Sequence, residues 1–157
     1  VEYLKNHEVV EWVSHPDLED HPNHELAKTL LPKGSTAVFS FGIKGGETAG
    51  AAFIDALQMI KRLVNIGDAK SLACHPASTT HRQLDEEELA RAGVSSDLVR
   101  ISVGIEHAED ILADIEQALL DFIDEWRQNR FEVNRFTLLQ KITELKLRLS
   151  TRSQKVL

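Results

Sequence analysis

Residues 98–106, Leu-Val-Arg-Ile-Ser-Val-Gly-Ile-Glu, alternate between apolar and polar or small side chains over the whole stretch. A period of two marks a half-buried strand, because successive side chains leave a strand on opposite sides. Val99, Ile101, Val103 and Ile105 form a face for a core, and Arg100, Ser102, Gly104 and Glu106 form an open one. On that open face the neighbours of Arg100 are too small to cover its guanidinium. Arginine takes carboxylates and phosphates through paired hydrogen bonds, and small neighbours leave a ligand room to reach it. The alternative is a solvated ion pair with a nearby acid such as Glu106, an arrangement common on surfaces and worth little. The strand alone leaves both open.

Around this strand the chain reads as short elements. Val9–Ser14 is rich in strand formers and stops at His15-Pro16. His24–Leu31 has helical character, with Asn23 placed to cap it and Pro32-Lys-Gly34 to end it. Ser35–Ile43 is a second strand, with Ala37, Phe39 and Phe41 on one side. Thr48–Val64 carries Ala52, Phe53, Ala56, Leu57, Ile60 and Leu63 at helical spacing, which predicts one long amphipathic helix. Asn65-Ile-Gly-Asp68 would then be its stop, and Ser71–His75 is strand-like up to Pro76. Leu84–Gly93 is a short helix, acidic at its first turn and closed by glycine, as the helix dipole favours. Ala108–Trp126 is a second long helix, with Ile111, Leu112, Ile115, Ala118, Leu119, Phe122 and Ile123 directed at the core.

About four short, irregularly spaced strands are too few for a doubly wound sheet. The expected class is α+β: a small, mainly antiparallel sheet with helices on one face. A chain of 157 residues is long enough for one ordinary core. Its opening Val1–His7 reads like the end of a helix, which suggests a piece of a longer protein. No apolar run reaches the roughly 20 residues of a membrane helix, so no membrane partner is expected. The single Cys74 excludes an internal disulfide and fits a cytoplasmic setting.

The net charge of −7 conceals a break. Residues 1–126 carry 10 Lys and Arg against 23 Asp and Glu, while residues 127–157 carry 8 against 2. An acidic body argues against nucleic acid, and the reversal marks a boundary. The expected division is a folded domain over 1–121 and a basic amphipathic tail over 122–157. In that tail Leu138, Ile142, Leu145 and Leu149 fall on one helix face.

Candidate chemistry is sparse. Gly42-Ile-Lys-Gly-Gly46 has neither P-loop nor dinucleotide spacing and reads as a glycine turn. The histidines show no zinc spacing, so no metal is expected. Ser78, Thr79, Thr80 and His81 lie too close in sequence to form a nucleophile and its base, and read as a hydrogen-bonding scaffold. Asn65 serves either as a helix cap or as an amide donor to an acidic group.

Four segments, in this order, carry a resemblance: HPNHELAKTLLPKG (21–34), AVFSFGIKGG (37–46), NIGDAKSLACHPASTTH (65–81) and LDEEELARAGVSSDLVRISVGIEHAEDILADIEQAL (84–119). Together, over about residues 1–120, they resemble the C-terminal domain of the Cys/Met-metabolism enzymes that depend on pyridoxal phosphate (PLP). Within the family they are most similar to the O-acetylhomoserine sulfhydrylase branch. The resemblance implies the C-terminal domain of an aspartate-aminotransferase-like fold. It also implies that Arg100 clamps the α-carboxylate of an amino-acid substrate, with Asn65 near the same group. Ser102, His75, Thr79 and His81 would lie one layer behind. In the family reaction PLP acts as electron sink while acetate leaves O-acetylhomoserine and sulfide or a thiol adds.

The resemblance further implies a homo-oligomer, as a tetramer, and a large N-terminal domain that supplies the Schiff-base lysine. That lysine's Ser/Thr-rich motif has no counterpart here, since Lys44 and Lys70 stand in other motifs of the family. The chain alone is therefore expected to hold no PLP covalently and to be inactive. The competing reading is a non-catalytic interaction or regulatory module that keeps the fold.

Overall fold

A computed structural model describes residues 1–121 and residue 123. Most of the basic tail expected over 122–157 therefore lies outside the described residues. Residues Val1–Phe122 cluster as one compact unit.

The unit is an α+β arrangement around a five-stranded sheet. The strands are β1 (Val10–Ser14), β2 (Val38–Ile43), β3 (Lys61–Arg62), β4 (Leu72–Cys74) and β5 (Leu98–Ser102). Their order across the sheet is β1-β2-β5-β4-β3. The β3–β4 pair is parallel and the other three pairs are antiparallel. The helices are α1 (Glu2–Lys5), α2 (His24–Leu30), α3 (Gly46–Ala56), α4 (Glu86–Arg91) and α5 over 108–121.

β5 is the central strand, and its alternation sorts the sheet into two faces. Phe39 pairs with Ile101 and Phe41 with Val99 across β2–β5, while Ala73 meets Ile101 from β4. All five are buried. Phe53 of α3 meets Phe41 edge-on, with ring centroids 5.6 Å apart and planes at 87°. An aromatic pair of this geometry adds about 0.5–1.5 kcal/mol beyond the area it buries. The same alternation sends Ser40, Gly42, Leu98, Arg100, Ser102, Leu72 and Cys74 to the opposite face.

α4, expected over 84–93, begins at Glu86 because Asp85 caps it. Asp85 accepts the Glu88 amide, and the Glu88 carboxylate accepts the Asp85 amide, closing a capping box. In α5, Ile111, Ile115, Ala118 and Leu119 are buried as expected, whereas Leu112 is exposed.

Two long elements stop well short of their expected ends. The helix predicted over 48–64 ends at Ala56, and Leu57 is already extended. The reason is tertiary. The buried Asp114 carboxylate of α5 accepts the amides of Gln58, Met59 and Ile60 at 2.9, 3.1 and 2.8 Å. Those donors therefore have no need of carbonyls four residues back, and the chain is free to run on into β3. Ile60 is buried, while Leu63 is half exposed.

The second correction is to the strand expected over 98–106, which stops at Ser102. Beyond it the Ile105 amide bonds to the Ala69 carbonyl at 3.0 Å, and Ile105 itself is 87% exposed. Its side chain has left the core face.

Candidate functional site

Arg100 sits at the middle of the central strand. Its cross-strand neighbours are Ser40 on β2 and Cys74 on β4, both short, and the residue itself is half-buried. Among the described residues it has neither a hydrogen-bond partner nor an ion-pair partner. The acid considered for it, Glu106, is engaged elsewhere. Its two carboxylate oxygens accept the Ser71 amide at 2.7 Å and the Ser71 hydroxyl at 2.8 Å. Donation from the Ser71 amide is the main reason the Glu106 carboxyl titrates below the usual range, and the Ser71 hydroxyl adds to it. Burial pushes the Cys74 thiol up, and the nearby Arg100 charge partly opposes this.

Asn65 does not cap a helix. It lies in an exposed loop that leaves β3 and returns to β4. That loop is fastened to the strand of Arg100, because the Gly67 amide donates to the Ser102 hydroxyl oxygen at 3.0 Å. Ser102 is fully buried and shares the Arg100 face. Arg100, Ser102 and the loop bearing Asn65 are thus brought to one side of the sheet.

His75, Thr79 and His81 are not part of that group. His75 follows Cys74 and is fully buried against α3, with its ring lying where a Cβ on Gly50 would be. Its Nε2 donates to the Ser96 carbonyl at 2.9 Å, which leaves Nδ1 to the Ser78 hydroxyl at 2.8 Å. Both ring nitrogens are occupied. The Thr79 hydroxyl donates to the His75 carbonyl at 2.7 Å, and His81 Nδ1 meets the Thr80 hydroxyl at 2.8 Å. This segment maintains its own turn.

Sequence reasoning missed the contacts of Ser71 with Gly104 and Glu106, and the Trp12–Asp97 pair. The Trp12 indole reaches across Gly42 to donate to Asp97 at 2.8 Å. A Cβ on Gly42 would overlap both groups, so only glycine leaves this bond its path. The signal was present as a glycine inside a strand, which marks a close approach. Beside this pair an open cavity of about 520 Å³ is bounded by Trp12, Leu89, Val94 and Leu98.

Among the described residues no three His, Cys, Asp or Glu side chains converge to hold a metal ion, and no helix is long and apolar enough to cross a membrane. Each described lysine lies at the surface. Lys44 donates to the Glu8 carbonyl, Lys61 to the Gln58 carbonyl, and Lys5 pairs with Asp20.

The fold is thus an α+β domain whose central strand carries a half-buried arginine with no partner among the described residues. Comparison with known proteins gives the family. The family described as Cys/Met metabolism PLP-dependent enzyme matches residues 1–120. The homocysteine synthase of Schizosaccharomyces pombe is 52% identical over 117 residues, which is 74% of this chain and 27% of that protein. The O-acetyl-L-homoserine sulfhydrylase of Corynebacterium glutamicum is 51% identical over 115 residues, 73% of this chain and 26% of that protein. Among solved structures, the cystathionine gamma synthase of Xanthomonas oryzae pv. oryzae superposes with a TM-score of 0.70 at 41% identity, covering 78% of this chain and 32% of that one. A Campylobacter jejuni protein solved with N'-pyridoxyl-lysine-5'-monophosphate gives 0.68 at 36% identity, covering 74% and 28%. The chain belongs to the Cys/Met-metabolism family of PLP-dependent enzymes. It spans about a quarter of the length of the curated relatives it matches.

A lysine that carries PLP has its amine withdrawn from water in a pocket, and every described lysine of this chain is exposed.

Proposed function

We propose that this chain supplies the substrate-carboxylate site of an O-acetylhomoserine sulfhydrylase-type enzyme, acting in homocysteine and methionine formation. One observation carries the reading: a half-buried arginine on the central strand, flanked by Ser40 and Cys74, with no acid paired to it among the described residues. An arginine held this way is prepared for a planar anion, and a carboxylate matches its fork with two parallel hydrogen bonds. Asn65, on the loop tied to Ser102, is assigned to the same carboxylate.

The reading carries further assignments with it. The fold is that of the C-terminal domain of the aspartate-aminotransferase-like enzymes. The PLP-bearing lysine lies in the part of the relatives that this chain does not span. The assembled enzyme is a cytoplasmic homo-oligomer, as a tetramer, and the chain alone is inactive. Covalent attachment of PLP to a lysine of the purified chain would refute the second and last of these.

The test is complementation. Co-expression with the N-terminal portion of a homocysteine synthase is expected to give sulfide-dependent homocysteine formation from O-acetylhomoserine. Arg100→Ala should abolish most of it, since removing one partner of a buried charge pair costs about 2–5 kcal/mol, or roughly 30-fold and upward in affinity. Activity equal to wild type in the alanine variant removes the carboxylate assignment. Failure of the wild-type chain to complement favours the non-catalytic module.

A further inference from the structure

The open face of the β5 segment continues past the end of the strand, and every residue on it after Arg100 touches one loop. Ser102 accepts the Gly67 amide at 3.0 Å. Gly104 has the loop backbone pressed on it: a Cβ there would overlap the Ala69 carbonyl oxygen and the Lys70 carbonyl carbon. Its amide donates to the Ser71 hydroxyl oxygen at 2.9 Å. Glu106 takes the Ser71 amide and hydroxyl, fixing the point where the loop rejoins the sheet. An exposed loop is costly to order, so four such attachments along one strand extension are a substantial commitment.

We propose that Ser102, Gly104 and Glu106 are positioning residues that hold the 65–70 loop against β5, so that Asn65 faces the same carboxylate as Arg100. The proposal rests on the reading of Arg100 as the carboxylate site and deepens it. One guanidinium fixes the two oxygens of a carboxylate but leaves the ligand free to pivot. A second donor held at a set distance from the first removes that freedom before binding, which is where preorganisation raises affinity. The remaining residues of the open face act through Asn65 and touch no ligand themselves.

The test uses the full 157-residue chain, labelled with ¹⁵N and titrated with L-homoserine. The control ligand is 3-aminopropan-1-ol, which keeps the amine and hydroxyl and lacks the carboxylate. Wild type is expected to bind L-homoserine in preference to the control, with shifts centred on Arg100 and Asn65. Ser102→Ala should speed hydrogen exchange at the Gly67 amide and weaken L-homoserine about fivefold, the scale of one ordinary hydrogen bond, with β2–β5 ladder exchange unchanged. Glu106→Ala should do the same through Ser71. Glu106→Gln, which keeps an acceptor in place, should recover most of the affinity.

Faster loop exchange with unchanged affinity makes the three anchors merely structural and overturns the proposal. Unchanged loop exchange overturns it as well. A wild-type chain that ignores L-homoserine, or an Arg100→Ala chain that binds it as tightly as wild type, instead overturns the carboxylate reading on which the proposal stands.

Discussion

Gly50 and His75 show how closely single residues are fitted. Glycine inside α3 gives up about 1 kcal/mol of helix propensity relative to alanine. A Cβ at Gly50 would strike the His75 ring, which two hydrogen bonds and complete burial hold in place. Overpacking of this sort costs about 1–3 kcal/mol, so the clash outweighs the propensity gain. Gly50→Ala is expected to lower stability in urea unfolding despite being the better helix former.

Glu106 gives a pH dependence of defined sign. Its folded pKa is depressed, chiefly by the Ser71 amide, so the native state favours the charged form. The associated stability is complete above the ordinary glutamate range and is lost as the pH falls through the lower folded value. Glu106→Gln should therefore lose less stability than wild type between about pH 6 and pH 3, as measured by urea midpoints across that range.

At this scale the sequence was informative about direction and silent about partners. The period of two assigned Arg100 and Ser102 to one face correctly. It could not show that Glu106 turns to Ser71, because 35 residues separate them and nothing local links the two.

At the scale of elements, the end of α3 is decided from outside it. Asp114 takes three amides in succession, and of these the Ile60 amide is fully buried. Leaving a buried donor bare costs about 1–3 kcal/mol, so Asp114→Ala is expected to destabilise by about 2 kcal/mol or more. Asp114→Asn keeps one acceptor oxygen and should cost less; chemical denaturation of both variants measures the difference.

This cap also explains why the helix pattern over 48–64 misled. Ala52 through Leu63 keep helical spacing in sequence, yet Phe53 points from a helix while Ile60 is buried on the approach to a strand. Periodicity registers that residues are buried and not which element buries them. The available warning was Asp114 itself. It lies three residues after Ile111 and one before Ile115, a carboxylate on a stripe otherwise apolar. A buried acid needs partners, and here they are backbone amides 54–56 residues away. The two-residue β3 is too short to leave any pattern of its own.

For the molecule as a whole, the compact unit over Val1–Phe122 contains all five strands and the core built on Phe41, Phe53, Val99 and Ile101. A chain cut after residue 123 is expected to keep its cooperative thermal transition, followed by circular dichroism. It should also become more acidic, since residues 124–157 carry 8 basic against 4 acidic side chains. Loss of the transition would show that the unit depends on the basic segment. The α+β class was legible from the short irregular strands, and the family from four long segments taken in order. The sheet order was not, because strands β2 and β5 are neighbours in space with two others between them in sequence.

That order has a consequence for how the chain reaches its final form. The central pairing joins Val38–Ile43 to Leu98–Ser102, so a loop of more than fifty residues must close before the sheet has a middle. β4 then has its antiparallel neighbour only once β5 is in place. Contacts this distant in sequence slow folding, because the entropy of closure is lost before the contact is gained. During synthesis, β1 and β2 can pair early, but the arginine-bearing strand arrives late and the loop anchors at 102–106 later still. The proposed binding groups thus come together only when nearly the whole unit has been made.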